Sequence, residues 1–161
     1  MGGALALYHA SFLPAAGVVG LSTPYQIKSD PRLVFLPLLS NFFPYVNKNG
    51  SDWQDKNAVE DHFSYAKYPS KAILQLDLLL KSLREALPKI NMPALLMHAM
   101  NDKGVAPENM NLIYKALGTP ENKKQSIWLE NSGHVITRDM DKEIVFRSVQ
   151  AFIESTMNSL K

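Results

Sequence analysis

Three short apolar runs along the chain are typical of strands buried inside a sheet. They are residues 17–21 (Gly-Val-Val-Gly-Leu), residues 94–97 (Ala-Leu-Leu-Met) and residues 125–129, which contain Ile127, Trp128 and Leu129. Each run is too short for a helix and is bounded by proline or polar residues, so the pattern favours strands.

Apolar residues at every third or fourth position predict helices between these strands. The clearest helix covers residues 70–87, with Ser70 placed to cap its start and Pro88 to end it. Further helices are predicted over residues 3–13 and 107–117. The last helix is predicted from residue 139 to about 155, with Asp139 and Asp141 in its first turn.

Residues 25–69 break this alternation. Residues 32–46 carry many large apolar side chains, the first at Leu33 and the last at Val46, but two prolines interrupt this segment. The polar stretch that follows contains Trp53. A structureless loop of this length is uncommon in a compact domain, so the segment is predicted to be an inserted cap. The predicted division is an α/β core over residues 1–24 and 70–161, with the cap at 25–69.

Strands that alternate with helices predict an α/β fold with three parallel strands, flanking helices and an inserted helical cap. The length of 161 residues fits one domain, with 46% hydrophobic residues for a core. The net charge of +2, carried by scattered Lys and Arg, argues against a nucleic-acid partner. The absence of cysteine excludes a disulfide framework and a cysteine nucleophile and fits a reducing compartment, so we expect a cytoplasmic protein.

Residues 4–21 resemble a secretory signal in their apolar content. However, no Lys or Arg follows Met1, and Tyr8, His9 and Pro14 interrupt the apolar run. A helix, a turn and a strand are therefore favoured, with a signal peptide as the alternative and no transmembrane span expected.

Asp102 follows the second predicted strand, and His134 follows the third. Ligands of open α/β sheets bind outside the carboxyl ends of the strands, so both residues are expected at one edge. An Asp–His pair there could activate a hydroxyl nucleophile. Alternatively, Asp102 is a turn residue and His134 a loop residue without a role. His98 and His9 are predicted to be structural, and no spacing of His and carboxylates indicates a metal site.

Two segments resemble bacterial carboxylesterases of the α/β-hydrolase fold, and more narrowly the small thermophile-type carboxylesterases and related monoacylglycerol lipases. One is Asp102 with residues 107–109 (Pro-Glu-Asn) and the helix segment 111–114. The other is residues 130–139 (Glu-Asn-Ser-Gly-His-Val-Ile-Thr-Arg-Asp), and residues 23–30 are also similar. The resemblance covers most of the chain and is weakest in the cap.

The resemblance implies a triad in the order Ser, Asp, His, with Asp102 as its acid and His134 as the general base. The nucleophile would lie in Gly-x-Ser-x-Gly, with Met1 and Gly2 as the last two positions and the serine just before Met1. The Met1 backbone N–H would form part of the oxyanion hole. Ser22, Ser132 and Ser11 are poorly placed to substitute, so the chain alone is expected to be inactive. No cofactor and no metal are implied.

The predicted activity is hydrolysis of carboxylic esters, of short to medium acyl chains or monoacylglycerols, through an acyl-enzyme. The substrate partner would be a small ester or acylglycerol held under the cap. One alternative is a non-catalytic fragment or interaction module on the same scaffold, and another is a site completed by a separate chain. The strand at 17–21 is expected to leave an apolar edge, which predicts self-association or pairing with an N-terminal half.

Overall fold

The computed structural model describes residues 1–27, 35–47, 52–60 and 62–159. The helices are α1 (Gly2–Ala10), α2 (Leu36–Leu39), α3 (Lys56–Glu60), α4 (Ser70–Ala86), α5 (Glu108–Ala116) and α6 (Lys142–Asn158). The strands are β1 (Val18–Leu21), β2 (Tyr45–Asn47), β3 (Lys67–Pro69), β4 (Ala94–Ala99) and β5 (Lys124–Leu129). No helix in these ranges is both long and apolar enough to cross a membrane.

A parallel sheet in the order β1-β4-β5 forms the centre of the molecule. Val18 pairs with Ala94, and Ala94 pairs in turn with Lys124. All six residues of β4 are buried. A central parallel strand is covered on both faces, which explains the apolar run Ala94 to Met97 that begins it. The three predicted strands and their parallel arrangement are confirmed.

Successive side chains of β4 supply two separate cores, because neighbours on a strand point to opposite faces. Leu96 packs with α1, α4 and α5 through residues such as Leu7, Leu83 and Ile113. Leu95 and Met97 pack on the other face with α6 through residues that include Val145 and Phe152. The sheet is thus enclosed by helices on both sides.

The ends of two helices differ from the predictions. Ser70 begins α4 but does not cap it; its buried hydroxyl donates instead to the carbonyl oxygen of Phe43, which ties the cap to the helix. The last helix begins at Lys142, so Asp139 and Asp141 do not lie in its first turn. Asp141 accepts from Asn131 and Ser132 of the preceding loop, and Asp139 accepts from the backbone N–H groups of Gly133 and of the cap; these bonds are stronger than an exposed contact with a helix dipole.

The described part of the predicted cap contains the short helices α2 and α3 and an antiparallel ribbon formed by β2 and β3, in which Tyr45 pairs with Pro69. It is therefore not built of helices alone. Several large apolar side chains of this segment are exposed, including Phe42 at 72% and Phe63 at 84%. Leu33 and residues 28–30 of the family-like segment lie outside the described residues. The boundaries 1–24, 25–69 and 70–161 remain a prediction.

Candidate active site

Asp102 and His134 lie together at the carboxyl edge of the sheet. β4 ends at Ala99 and β5 at Leu129, and the N–H of Met100 donates to the carbonyl of Leu129 over 2.8 Å. Nδ1 of His134 is 2.8 Å from Oδ2 of Asp102. The Asp102 side chain is fully buried, whereas the His134 side chain is 39% exposed. The pair thus has a buried acid and an imidazole that reaches the surface.

Four donors surround the Asp102 carboxylate. Oδ1 accepts the backbone N–H groups of Gly104 over 2.8 Å and Val105 over 2.7 Å. Oδ2 faces His134 and also Nε2 of His98, at 3.0 Å. Burial by itself would raise the pKa of Asp102, but the hydrogen bonds from His134, His98 and Val105 outweigh it and hold the pKa well below its ordinary value. Asp102 is therefore ionised at neutral pH.

The position of the protons on His134 follows from this charge. An ionised carboxylate can only accept hydrogen bonds, so Nδ1 of His134 carries a proton toward Asp102. In the neutral imidazole, Nε2 is then left as an acceptor. This arrangement can take a proton from a hydroxyl group placed at Nε2 while the carboxylate stabilises the resulting imidazolium.

His98 contacts this carboxylate from inside the sheet, which the sequence reasoning missed. It was predicted to be structural, and it is indeed buried within β4, with 1% exposure. Its Nε2 also lies 3.1 Å from the carbonyl oxygen of Val105. Both neighbours are acceptors, so Nε2 must carry a proton. The sequence feature that could have predicted this contact is the position of His98, four residues before Asp102 and at the end of an apolar run.

Two further buried carboxylates shape the loop that carries His134. Asp141 accepts the backbone N–H of Asn131 over 2.8 Å and the hydroxyl of Ser132 over 3.0 Å. Asp139 accepts the N–H of Gly133 over 2.8 Å. Burial alone would raise the pKa of Asp139, but its backbone N–H donors lower it. The Ser132 hydroxyl is thus committed to Asp141.

Asn109 fastens the loop after β1 to the loop of Asp102. Its Oδ1 accepts the N–H groups of Tyr25 over 2.8 Å and Gln26 over 2.9 Å, and its Nδ2 donates to Ala106. Arg84 of α4 donates to the carbonyl of Tyr25 over 3.0 Å. This network gives a physical reason for the asparagine in the family-like segment 107–109.

The start of α1 lies against the carboxyl end of β1. A Cβ added to Gly3 would come 2.0 Å from Oγ1 of Thr23, so only glycine fits this contact. Met1 precedes the helix, with its carbonyl accepting the N–H of Leu5, and burial lowers the pKa of its amino group. The structure shows no hydrogen bond from Met1 to Asp102 or His134 among the described residues. Met1 therefore remains only a predicted oxyanion donor.

Ser22, at the end of β1, has an unusual backbone and side chain. Its φ of 44° lies in the left-handed region, and its buried hydroxyl has no hydrogen-bond partner. Across the described ranges, no serine hydroxyl is hydrogen-bonded to His134. In the same ranges, no group of three or more His, Asp or Glu side chains is arranged to hold a metal ion.

Comparison with known proteins gives consistent matches along most of the chain. The model of the Hydrolase_4 family, described as Serine aminopeptidase, S33, matches residues 1–141. A carboxylesterase of Bacillus subtilis (strain 168) is 29% identical over 154 residues, which are 96% of this chain and 61% of that protein. A thermostable monoacylglycerol lipase of Bacillus sp. (strain H-257) is 31% identical over 155 residues, 94% of this chain and 59% of that protein. The chain thus spans about three fifths of the length of these two relatives.

Solved structures agree with these matches. One, from work on the metagenome-derived lipolytic enzymes LipS and LipT, aligns with a TM-score of 0.85 at 32% identity, over 96% of this chain and 62% of that chain. A monoacylglycerol lipase of Paleococcus ferrophilus aligns with a TM-score of 0.72 over 94% of this chain and 65% of that chain. Because the two sequences are 16% identical, this alignment is evidence for the fold alone. The predicted α/β-hydrolase fold is confirmed.

Proposed function

Because the chain belongs to the Hydrolase_4 family of serine hydrolases, we propose that it is the C-terminal part of an esterase. The proposed substrates are carboxylic esters of short to medium acyl chains or monoacylglycerols, cleaved through an acyl-enzyme. The names of two relatives, a carboxylesterase and a monoacylglycerol lipase, support this substrate class. No cofactor enters the proposal, since an acyl-enzyme mechanism of this kind needs none.

The observation that carries the proposal is the 2.8 Å contact between His134 and the buried Asp102. In the proposed reaction, Nε2 of His134 takes the proton of a serine hydroxyl while the oxygen attacks the ester carbonyl. The same proton then passes to the departing alcohol, and the cycle repeats with water in place of the serine. Asp102 keeps Nδ1 of His134 protonated, and His98 helps to keep Asp102 ionised and in place.

The nucleophile is proposed to be a serine just before Met1, and the Met1 backbone N–H is proposed as one oxyanion donor. Two features support this arrangement. Helix α1 begins at Gly2, and its first turn packs on the end of β1 through Gly3, so the start of the helix lies at the sheet edge. The serines considered as substitutes are also ill-suited: Ser132 is bonded to Asp141, and Ser11 is bonded to the carbonyl of Tyr8.

The cap is proposed to cover the acyl chain of the substrate. Exposed aromatic side chains of the described cap, such as Phe42, Phe43 and Phe63, offer apolar surface for this purpose.

Hydrolysis of p-nitrophenyl butyrate tests the proposal in two forms of the protein: the 161-residue chain, and the chain extended by the residues that its gene encodes in frame before Met1. We expect the extended form to hydrolyse the ester, His134→Ala to abolish hydrolysis and His9→Ala, at an exposed histidine of α1, to leave it unchanged. The chain alone is expected to show no hydrolysis above its own His134→Ala variant.

Each other outcome contradicts a defined part of the proposal. An inactive extended form that folds would argue against an esterase and favour the interaction module. The interaction module is also supported by the observation that no described serine hydroxyl is hydrogen-bonded to His134. Hydrolysis by the 161-residue chain that disappears in His134→Ala would place the nucleophile within residues 1–161. Ser22, with its unbonded hydroxyl, would then be the first residue to replace.

A further inference from the structure

We propose that Asp52 is a positioning residue that joins the cap to both loops of the catalytic pair; this inference rests on the proposed roles of Asp102 and His134. One oxygen, Oδ2 of Asp52, accepts the backbone N–H of Lys103 over 2.9 Å and that of His134 over 3.0 Å. Lys103 directly follows Asp102. A single cap carboxylate oxygen therefore bonds to the backbone of the base and to the residue next to the acid.

These bonds are well suited to fix the two loops. A carboxylate that accepts from a backbone N–H forms a charge-assisted bond, which is stronger than a bond between neutral groups. Within the described residues, the N–H groups of Lys103 and His134 have no other hydrogen-bond acceptor. If the Asp52 carboxylate were removed, both N–H groups could donate only to water, and the two loops would lose their common hydrogen-bond acceptor.

A second carboxylate makes the connection reciprocal. Asp139, next to the His134 loop, accepts the backbone N–H groups of Asp55 over 2.7 Å and Gln54 over 3.1 Å, as well as that of Gly133. The cap thus supplies Asp52 to the core loops, and the core supplies Asp139 to the cap backbone. Residues 52–55 are held from both sides.

Gly133 allows the cap to approach this closely. A Cβ at position 133 would lie 2.3 Å from the backbone oxygen of Asp52 and 2.8 Å from its Cγ, so any side chain there would push the cap segment away. The glycine of the Ser-Gly-His motif is therefore explained by contact with the cap, as well as by its place beside the base. It follows that displacement of residues 52–55 would disturb the position of His134 relative to Asp102.

Amide hydrogen exchange of the ¹⁵N-labelled 161-residue chain, without substrate, tests this directly. In Asp52→Ala we expect the Lys103 and His134 amides to exchange about 10- to 100-fold faster, as for the loss of one charge-assisted bond. The Asn131 amide in the same loop, bonded to Asp141, should keep its rate. Asp52→Asn retains an oxygen acceptor and should restore most of the protection of Lys103 and His134.

Asp55→Ala is the matched control. It removes an equal charge from the same segment, but among the described residues its carboxylate bonds only to Asn57 and Ala58 at the start of α3. It should leave the Lys103 and His134 amides protected. Gly133→Ala should reproduce the Asp52→Ala pattern from the opposite side of the contact, without removing any carboxylate.

The proposal is overturned if both amides stay protected in Asp52→Ala, if Asp55→Ala exposes them equally, or if Asn131 and the β4 amides accelerate to the same extent. It is also overturned if Asp52→Asn exchanges as fast as Asp52→Ala. Since the readout needs no hydrolysis, its failure is separate from failure of the esterase proposal. In an active extended form, Asp52→Ala should lower kcat with little change in KM, because the bonds of Asp52 act on the position of the base.

Discussion

Replacement of Asp102 by asparagine keeps the size of the side chain and removes its charge. The carboxylate is bonded on one oxygen to two backbone N–H groups and on the other to His98 and His134. An amide can accept on one side only, so its NH₂ group would face His98 and His134, and His134 can accept from it only as the tautomer protonated at Nε2. Loss of the charge-assisted bonds in this buried site should lower the free energy of unfolding by about 2–5 kcal/mol at pH 7.

The pH dependence of this loss distinguishes a charged from a neutral Asp102. The folded pKa of Asp102 lies below its ordinary value of 3.8, so the ionised group stabilises the fold above that pH, and the stabilisation declines as pH falls toward the folded pKa. At pH 3, protonation of Asp102 in the unfolded chain but not in the folded protein should lower the free energy of unfolding by about 1 kcal/mol. Asp102→Asn has no such group. The difference in unfolding free energy between the two proteins should therefore narrow by about 1 kcal/mol from pH 7 to pH 3.

Urea denaturation at pH 7, 5 and 3, at one protein concentration, measures this difference. Asp77→Asn is a suitable control, since Asp77 forms a half-exposed ion pair with Lys81, and its effect should stay within about 0.5 kcal/mol at each pH. A difference between the native chain and Asp102→Asn that stays constant or widens toward pH 3 would refute the assignment of a buried, ionised Asp102.

Three further predictions concern single contacts. His98→Leu should lower the unfolding free energy by about 1.5–3 kcal/mol and raise the pKa of Asp102, as seen by urea denaturation and NMR titration; an unchanged pKa would contradict the contact. Ser22→Ala should raise the unfolding free energy by up to about 1 kcal/mol, because it removes an unpartnered buried hydroxyl, and a clear loss would reveal a missed partner. β1 lies at the edge of the described sheet, beside an apolar groove lined by Leu21, Val149 and Ile153. The native chain should therefore self-associate in sedimentation experiments, and Leu21→Lys should reduce the self-association. A monodisperse native chain would contradict this prediction.

Local patterns predicted the parts of the structure that depend on local physics. β4 is apolar from Ala94 to Met97 because it is covered on both faces, and α4 has its leucines at helical spacing because one side packs on the sheet. The edge position of Asp102 and His134 followed from a topological rule, that parallel strands end at one edge. That rule needs only the strands and the direction in which they run.

The contacts that orient the pair could not be predicted in the same way, since they join distant segments. Asp52 lies 82 residues from His134, and Asp139 lies 85 residues from Gln54. A preference for acidic residues near helix starts placed Asp139 and Asp141 in the last helix, but Asp141 binds donors of the loop before it, and Asp139 binds donors of that loop and of the distant cap. Burial of His98 was predictable from its strand, whereas its contact with Asp102 depends on how residues 102–105 turn back over the strand end.

Two kinds of interaction therefore support the fold and the site. The sheet and helices are held by apolar packing, which tolerates changes of side chain that conserve volume. The loops of Asp102 and His134 are instead held by the carboxylates of Asp52, Asp139 and Asp141, through bonds to named backbone N–H groups. Replacing one of these carboxylates removes two or more directional bonds without opening a cavity in either core. At the buried Asp139 and Asp141 this also leaves buried donors unsatisfied and should lower stability. Replacement of the less buried Asp52 should disturb the geometry of the base more than the stability of the fold, whereas truncation of Leu83 or Leu95 should do the reverse.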